Sequence, residues 1–450
     1  MTSRGVAEPN AEVPPDGSGP PSPVPRPAPA PARGGTFASL RHRNFAMFWG
    51  AAVLSSSGSM MQMFTVPYVV YSLTHSTIWL GVSAAVAFAP GVIVGPVGGA
   101  LADRHSRRRV LLVTQSLAML SALALWVLWV TGTATVLSLL GTVFLGTMAG
   151  GLGIGSWQAY VPELVPKADL MNAVRLNSIQ FNVARAVGPL AAAVVLARLG
   201  PGAAFIGNAA SFVPVVAVLI VLPDTVPHRA VGRSSMLREF GDGLTYIRQH
   251  RALVECALNS LVLAALAYAI VQLAPAVAHQ QLHVGKAGYG LLVTAWGVGS
   301  IVTSFVMAAR ADRLARSRIA LGGIVAAVVG MCLLGVAPPY WLAVVAFGVI
   351  GVAQTSSGIT YMTTIQVQVA DAYRGRVIAN YITIIQLGFP LGALIEGSVA
   401  SVTGTRVLAL GSAVVLVAYL GLVLTRFRAL RDLDDNSQLK LGGLAAEAAG

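Results

Sequence analysis

A short stretch dense in arginine, lying between two long apolar runs, constrains this chain more than any other feature of its sequence. Residues 99–111 carry Asp103 together with arginines at positions 104, 107, 108 and 109. The flanking apolar runs, 81–101 and 110–130, are each long enough to cross a hydrocarbon core of about 30 Å. The stretch is therefore predicted to be a tight loop between two antiparallel membrane helices. Its arginines mark it as cytoplasmic, because basic loops stay on that side of the membrane.

The composition indicates an integral membrane protein rather than a soluble enzyme or a nucleic-acid-binding protein. Of the 450 residues, 55% are hydrophobic and only 10% are charged. The net charge of +13 is spread over short loops between apolar runs, so it indicates topology and not a nucleic-acid surface. Cys256 and Cys332 have no spacing typical of a metal site or a redox pair, and no cofactor is predicted. Motifs for ATP-driven pumping and for hydrolysis are absent, which favours a protein that is not an enzyme.

Apolar runs divide the chain into two sets of six. Residues 1–36, rich in Pro, Ala, Gly and Ser, are predicted to be a disordered cytoplasmic tail. Six runs follow in 37–222, then a polar linker at 223–251 whose apolar residues recur at helical spacing, then six more runs in 252–427 and a tail at 428–450. Most basic residues fall on one side if both termini are cytoplasmic. The prediction is an all-α membrane fold with twelve spans in two halves.

An internal repeat supports the division into halves. Asp312 and Arg313, after the eighth apolar run, repeat the pattern of Asp103 and Arg104 after the second. Two parallel six-helix halves with a binding site at their interface, near the middle of the bilayer, are a known plan of secondary transporters.

On these residues the chain resembles the major facilitator superfamily. Its signature G-x-L-A-D-R-x-G-R-R/K-x-x-L is matched over residues 99–111, except that Ser106 stands at the second glycine. In the fifth run, Gly188 and Pro189 match part of the antiporter motif G-x-x-x-G-P-x-x-G-G, whose bend they would supply. Residues 40–49, 182–189, 208–212 and 374–376 are similar to the enterobactin-exporter-like and macrolide-efflux branch. The resemblance implies proton-driven export of a small amphiphilic or siderophore-like compound.

Asp103 is predicted to take part in a charged latch at the cytoplasmic side. A carboxylate at the C-terminal end of a helix is disfavoured by the helix dipole and needs a partner, and Arg107 lies one turn on. The resemblance implies that Asp103 also meets the N-terminus of the eleventh span when the inner side is closed. The predicted latch consists of Gly99, Asp103, Arg104, Arg107, Arg108, Asp312, Arg313, Arg374 and Arg376. The alternative is that these residues are topology charges only.

Three ionisable residues lie within apolar runs and are candidates for proton coupling. Arg185 would cost at least about 2.5 kcal/mol in lipid, so it must face the protein interior, as a substrate or proton-coupling group or in a buried ion pair. Glu396 and Glu255 are the acidic candidates, since a carboxyl in a low-dielectric site can load and release a proton. Glu396 would otherwise lie among the outer headgroups, and Glu255 would otherwise pair with Arg251.

A set of methionine, aromatic and amide side chains on several runs is predicted to line a central cavity. Methionine and aromatic rings suit apolar ligands, and amides orient them. The set consists of Met60, Met63, Phe64, Tyr68, Trp157, Gln158, Asn177, Gln180, Tyr268, Gln272, Gln354 and Tyr361. Each could instead face lipid or pack against a neighbouring helix, and we expect about half of the set to reach the cavity.

The sequence as a whole predicts a secondary exporter that works by alternating access in the cell membrane. Its expected partners are the lipid bilayer, a small-molecule substrate and protons, and it is expected to be monomeric. An importer or lipid flippase on the same fold is the nearest alternative. A membrane receptor or assembly partner that transports nothing is the alternative from another class.

Overall fold

The computed structural model describes residues 37–224, 236–310, 314–336, 339–426 and 429–434. Across these residues the chain is built from helices, without a strand. Ten helical stretches are long and apolar enough to cross a membrane. In lipid, a helix satisfies its own backbone hydrogen bonds, which an isolated strand does not. The predicted all-α membrane fold is confirmed.

The first set consists of six helices joined by short connections. Its members are α1 (Arg43–Thr74), α2 (Thr77–Arg104), α3 (Arg107–Val130), α4 (Val136–Tyr160), α5 (Leu170–Arg198) and α6 (Pro201–Val221). We call these the N half. We call the end that holds the α2–α3 loop the arginine-rich end, and the other the opposite end.

The second set follows the linker helix α7 (Met236–Gln249). Its members are α8 (Arg251–Leu263), α9 (Lys286–Arg310), α10 (Arg316–Val336), α11 (Tyr340–Gln368) and α12 (Asp371–Arg426), which we call the C half. A short helix, α13 (Ala429–Asp432), follows and packs against the C half. The linker helix that the sequence predicts within 223–251 is present.

The twelve predicted crossings are compatible with these bounds. Helix α12 contains Gly404 at φ 81° and ψ 161°, where two helices meet, so this stretch is long enough to cross twice. Helix α1 has 32 residues but is less apolar than the ten candidate spans, because serines interrupt it. The count of twelve and the side on which the termini lie stay predictions.

The outer surface of the bundle is apolar in the manner of a lipid-facing surface. Large hydrophobic side chains that are more than two-thirds exposed include Ile93, Leu137, Phe305 and Val402. A water-soluble protein rarely leaves so much apolar surface uncovered. Prolines 67, 90, 189 and 390 lie inside helices, which is common where neighbouring helices supply compensating contacts.

The segment after α8 departs from the regular helix that the sequence predicts for the seventh span. Ala264–Tyr268 and Val277–Gln281 form π-turns, and Ala269–Val271 forms a 3₁₀ turn. Pro275 lies between them and cannot donate a backbone hydrogen bond, which explains part of the break. The whole stretch 267–278 is buried by protein, where irregular backbone is tolerated at membrane depth.

The largest core cluster joins the two halves at the opposite end only. Its N-half members lie toward that end of their helices: Met61, Phe64, Tyr71, Leu80, Ala84, Ala192, Leu196 and Ala204. A second cluster fills the arginine-rich end of the N half and contains Phe48, Leu111 and Trp157, but no residue of the C half. The halves are therefore packed together at one end and separate toward the other.

Candidate functional site

Two buried hydrogen bonds join the halves at the opposite end. The Thr77 hydroxyl, at the start of α2, donates to the carbonyl oxygen of Gly397 in α12 at 2.7 Å. The Tyr289 hydroxyl, at the start of α9, donates to the carbonyl oxygen of Phe64 in α1 at 2.7 Å. Each bond crosses from one half to the other, so it exists only while this end is closed.

Contacts between aromatic rings also join the two halves, from the closed opposite end toward the middle of the bundle. The ring centroids of Tyr68 and Tyr289 are 5.5 Å apart and stacked. Phe64 lies 5.5 Å from Trp296. Phe88, near the midpoint of α2, stacks on Phe389 of α12 at 5.6 Å.

Small residues let the backbones of the two halves touch. A Cβ atom on Gly81 would lie 2.6 Å from the carbonyl oxygen of Ala393, and one on Gly397 would lie 2.4 Å from that of Thr77. Both distances are below any normal contact, so α2 and α12 meet this closely only because both positions are glycine.

From the middle toward the arginine-rich end, the same helix faces open into a cleft. On α5, Pro189 and Ala193 pack against glycines of α9, whereas Arg185, Asn182 and Ser178 on the continuation of that face are exposed. At the far end of α2, about 22 Å of helix beyond Phe88, Asp103 is exposed and has no partner among the described residues. The structure is therefore open at the arginine-rich end and closed at the opposite end.

Arg185 is exposed on the cleft face of α5, and its guanidinium makes no hydrogen bond or ion pair with the residues that the structure describes. The alternative of a buried ion pair is therefore not what this conformation holds. A cationic, planar donor in a cleft can bind a carboxylate or another anionic oxygen in a bidentate way.

Glu396, unlike the exposed Arg185, is buried, and it lies where the two halves pack together at the opposite end. Its side chain is 1% exposed, and neither carboxyl oxygen has a hydrogen-bond partner among the described residues. It lies on α12 between Gly392, which packs on Ala265 of the irregular segment, and Gly397, which packs on α2. The side chain is therefore covered by protein, and its depth in the membrane stays a prediction. An ionised carboxylate in so dry a site would cost several kcal/mol, so this conformation fits the neutral acid.

Glu255 lies near the arginine-rich end of α8 and is half-buried. One of its carboxyl oxygens is buried without a partner, and the expected ion pair with Arg251 is not formed in the described part of the chain. Its backbone carbonyl accepts from Asn259, whose side-chain oxygen in turn accepts from the Tyr419 hydroxyl at 2.9 Å.

The arginine-rich loop is held by contacts inside the N half. Arg107 donates to Glu163 and to the carbonyl of Ala159, so the expected pair between Arg107 and Asp103 is not formed. Arg108 donates to the last carbonyl groups of α6 at 2.6 Å. These bonds fix the arginine-rich end of α3 to α4 and α6.

Ser106, the position that departs from the superfamily signature, has a structural role. Its hydroxyl caps α3 by accepting from the backbone N–H of Arg109, and it donates to Asp224. Arg109 also donates to Asp224, at 2.9 Å. The hydrogen bond from Ser106 is the main cause that lowers the pKa of Asp224 below its usual value; desolvation opposes it, and Arg109 and Arg108 add to the lowering.

The predicted latch between the halves is open in this conformation. Asp103 and Arg104 are exposed and have no partner among the described residues. Arg376, at the start of α12, instead lies 3.6 Å from Asp242 of the linker helix. Arg374 donates to the carbonyl of Val369 at 3.3 Å. Asp312 and Arg313 lie outside the described residues.

The linker helix covers the same N-terminus of α12 that the latch would use. The side-chain nitrogen of Asn380 donates to the carbonyl oxygen of Phe240 at 2.9 Å. Tyr246 stacks on Tyr373 at 4.9 Å, and Ile247 is buried against the C half. α7 thus binds the N-terminal end of α12 in the C half.

The predicted cavity residues separate into three groups. Gln158 is exposed and Met60, Met63 and Asn177 are half-exposed, as residues near a cleft would be. Phe64, Tyr68, Gln354 and its hydrogen-bond donor Trp296 belong to the closure or lie next to it. The buried members, which pack inside one half, are Trp157, Gln180, Tyr268, Gln272 and Tyr361.

Gly188 has a packing role that the motif alone does not reveal. A Cβ atom there would lie 2.2 Å from the Cβ of Met60, so α1 and α5 touch at this point. Pro189, the next residue, is buried inside the continuous helix α5 and contacts Gly297 of the other half. A bend at this pair stays a prediction.

The residues of the closure are the main functional feature that sequence reasoning missed. Thr77, Tyr289, Phe88 and Phe389 are spread over three helices of both halves, and no motif links them. Paired small residues at the ends of the second and eleventh apolar runs were the signal that could have indicated a close contact. No three His, Cys, Asp or Glu side chains come together in the described part of the chain as a metal site would need.

Comparison with known proteins identifies the sequence family. The family model described as transmembrane secretion effector matches residues 34–445. The chain is 25% identical over 390 residues to the enterobactin exporter EntS of Citrobacter koseri, a match that covers 83% of this chain and 91% of the relative. It is 25% identical over 268 residues to the staphyloferrin A transporter of Staphylococcus aureus, covering 58% of this chain and 66% of that protein, just under two-thirds of its length.

Among solved structures, the fold is similar to that of the nucleoside transporter NupG in its crystal structure. The TM-score is 0.69 at 14% sequence identity, and the match covers 85% of this chain and 99% of the other. At this identity the likeness concerns the fold.

Proposed function

The chain belongs to the transmembrane secretion effector family of major facilitator transporters, and from that premise we propose that it exports a small siderophore-like compound in exchange for protons. The observation that carries the proposal is the pairing of an open cleft with a buried, unpartnered Glu396 at the closed end of the described structure. A cleft open to one side of the membrane is what a transporter by alternating access presents to its cargo.

The arginine-rich end is placed in the cytoplasm of a bacterial cell, because basic loops stay inside. The cleft would then receive its substrate from the cytoplasm, as an exporter requires. Both termini are placed on that side as well, and the protein would act as a monomer in the inner membrane. No step of this cycle needs a catalytic residue or a cofactor.

Arg185 supports an anionic substrate. It is exposed on the cleft face of α5, and Asn182 and Ser178 on the same face add neutral donors and acceptors. Siderophores carry carboxylate or catecholate oxygens, which a guanidinium binds through charge-assisted hydrogen bonds. The relatives named above are an exporter of enterobactin and a transporter of staphyloferrin A.

Glu396 is assigned the proton. When the opposite end opens, water reaches the seam between α12 and α2, and the carboxyl can take a proton from outside. In the neutral form, Glu396 allows α12 and α2 to pack together with water excluded. An unpartnered carboxylate would oppose this packing. Release of the proton toward the arginine-rich end completes one exchange. The membrane potential contributes about 2.3 kcal/mol per charge at 100 mV.

Asp103 is assigned the closing contact of the other state. In the structure the linker helix contacts the N-terminal end of α12 through Asp242 and Arg376. Closing the cleft would bring α2 toward this end of α12, and a contact of Asp103 between the halves would replace the weak contact of Asp242. The latch residues Arg374 and Arg376 would then change partner during each cycle.

The test uses the full chain in proteoliposomes with a catecholate and a citrate-based siderophore. We expect a proton gradient to drive accumulation of one of them, and the E396Q variant to lose this drive while still exchanging labelled for unlabelled compound. D103N should slow both activities. Movement in the direction of the proton gradient would instead indicate an importer. Transport of neither compound, with or without a proton gradient, would contradict the export proposal.

A further inference from the structure

The closed opposite end brings together two histidines that are 204 positions apart in the sequence. His75 follows α1, and His279 lies in the π-turn Val277–Gln281 of the C half. Their ring centroids are 5.4 Å apart. Tyr71 lies edge-on to both rings, at 5.7 Å from His75 and 5.8 Å from His279. Sequence patterns do not reveal this pair, because neither histidine belongs to a metal-ligand motif.

The two rings line a pocket of about 220 Å³ that both halves build. Its wall includes Tyr68, Ser72 and Tyr289, and both histidines are exposed at its mouth. The pocket is reachable from the opposite end and is separate from the cleft at the arginine-rich end. It exists only while Tyr68 and Tyr289 are stacked, that is, while the opposite end is closed.

We propose that His75 and His279 form a binding site for a divalent transition metal ion, with Zn²⁺ as the representative, and that the bound ion holds the opposite end closed. A Zn–N bond of about 2.0–2.1 Å places the centroid of each ligating ring about 3.2 Å from the metal, so two such rings at a tetrahedral angle are about 5.2 Å apart. The observed 5.4 Å agrees with that separation without any movement of the halves.

The type of ligand selects the class of ion. Neutral imidazole suits Zn²⁺, Cu²⁺ and Ni²⁺, whereas Ca²⁺ and Mg²⁺ prefer oxygen ligands. With two protein ligands, water molecules would complete the coordination shell. Such a site binds less tightly than a structural site with four protein ligands, and this suits a site that must come apart in each transport cycle.

His75 is held in place by its backbone. It caps α1 at φ 49°, a left-handed conformation, and its N–H donates to the carbonyl of Tyr71 at 2.7 Å. Left-handed backbone is uncommon for residues other than glycine, and asparagine, aspartate and histidine are the side chains that adopt it most often. The chain therefore presents the imidazole from a fixed turn and not from a freely rotating loop end.

The consequence for transport follows from linkage. An ion that binds only the closed form stabilises that form by the factor 1 + [M]/Kd. At a Zn²⁺ concentration about one hundred times Kd, the population with an open opposite end falls about 100-fold. Zn²⁺ added on that side would thus slow the transport cycle without occupying the substrate cleft.

The test measures Zn²⁺ binding and closure on the purified full chain, with no substrate present. The variants are H75N, which keeps a residue that tolerates the left-handed turn, H279A and the double variant; H250A, at the arginine-rich end, is the matched control. The A84C substitution, at a position buried beneath the closure, reports opening by its rate of maleimide labelling. The background carries alanine at Cys256 and Cys332.

We expect saturable Zn²⁺ binding and up to about 100-fold slower labelling in the parent and in H250A, Ni²⁺ acting likewise and Mg²⁺ having no effect. Either histidine substitution should remove most of the response, and the double variant all of it. An equal response in the double variant, or no saturable response in the parent, would overturn the proposal. Neither outcome depends on the substrate, so the proposed export function is judged separately.

Discussion

The hydrogen bond from Thr77 to Gly397 offers the most direct test of the closure, because it joins α2 to α12 and nothing else. It is 2.7 Å long, and Thr77 is buried. The substitution T77V keeps the shape of the side chain and removes the donor. A buried hydrogen bond of this kind contributes about 1 kcal/mol net, which corresponds to about a fivefold change in an equilibrium constant. We expect T77V to raise the open population of the opposite end about fivefold.

A second hydrogen bond between the halves tests whether the two contributions to the free energy of closure add. Tyr289 donates to Phe64 across α9 and α1, and it shares no partner with Thr77. Y289F should therefore also give about a fivefold rise. Independent sites add in free energy, so the double variant should reach about 30-fold.

The assay is maleimide labelling of A84C from the opposite end, on the background without Cys256 and Cys332. The matched control is T65V, since the Thr65 hydroxyl donates at 2.9 Å to Met61 within its own helix and does not join the halves. T65V should leave the rate unchanged. An equal rate in T77V and the parent, or a rise in T65V as large as that in T77V, would refute the proposed closure.

Three further predictions concern other parts of the chain. R185A should weaken binding of an anionic siderophore about 10- to 150-fold, the loss expected for a charge-assisted hydrogen bond, and R185K should restore part of it; equal affinity in R185A would exclude the assigned contact. D224N should lower the free energy of unfolding by less than about 1 kcal/mol at neutral pH, because the group is near the surface. The folded state lowers the pKa of Asp224, so this stabilisation is present above the ordinary carboxyl pKa of about 4 and is lost as the pH falls below it. The melting temperatures of D224N and the parent should therefore converge in acid. G188A should cost about 1–3 kcal/mol through its clash with Met60, whereas G150A, which has open space, should not; a stable G188A would contradict the close packing of α1 and α5.

Sequence periodicity predicts the helices well because membrane spans leave a strong signal. The predicted runs 81–101 and 110–130 correspond to α2 and α3 within a few residues. Helix bounds are less visible where the first turns are polar: α5 begins at Leu170, and its first two turns carry Asn172 and Arg175. Lipid forces the backbone into helices, and this constraint is visible in composition alone.

The irregular segment after α8 could not be predicted in the same way. Its residues are as apolar as those of a regular span, and Pro275 alone does not distinguish a kink from a π-turn. What permits the irregular backbone is burial between α12 and the N half, a property of the assembled fold. The spacing of residues in the sequence does not reveal that burial.

Candidate functional residues are recognisable in the sequence where one helix carries them, and they are not recognisable where several helices must meet. Glu396 and Arg185 were recognisable as ionisable residues in apolar runs, but only the fold distinguishes a buried carboxyl at a closure from a guanidinium exposed in a cleft. The partner of Arg107 was predicted wrongly as Asp103, because one turn of sequence spacing placed them together. Glu163, which follows α4, is the residue that the fold brings to it.

The central claim is that the two ends of the molecule open in alternation and that Glu396 controls the change. Spin-label distances test it most directly, with one pair of exposed positions at the arginine-rich end, Arg104 and Gly375, and another at the opposite end, Ile78 and Val402. Raising the pH should favour the ionised, hydrated form of Glu396, so we expect a longer opposite-end distance together with a shorter arginine-rich-end distance, and no pH response in E396Q. Distances that change independently at the two ends, or that respond to pH equally in E396Q, would contradict it.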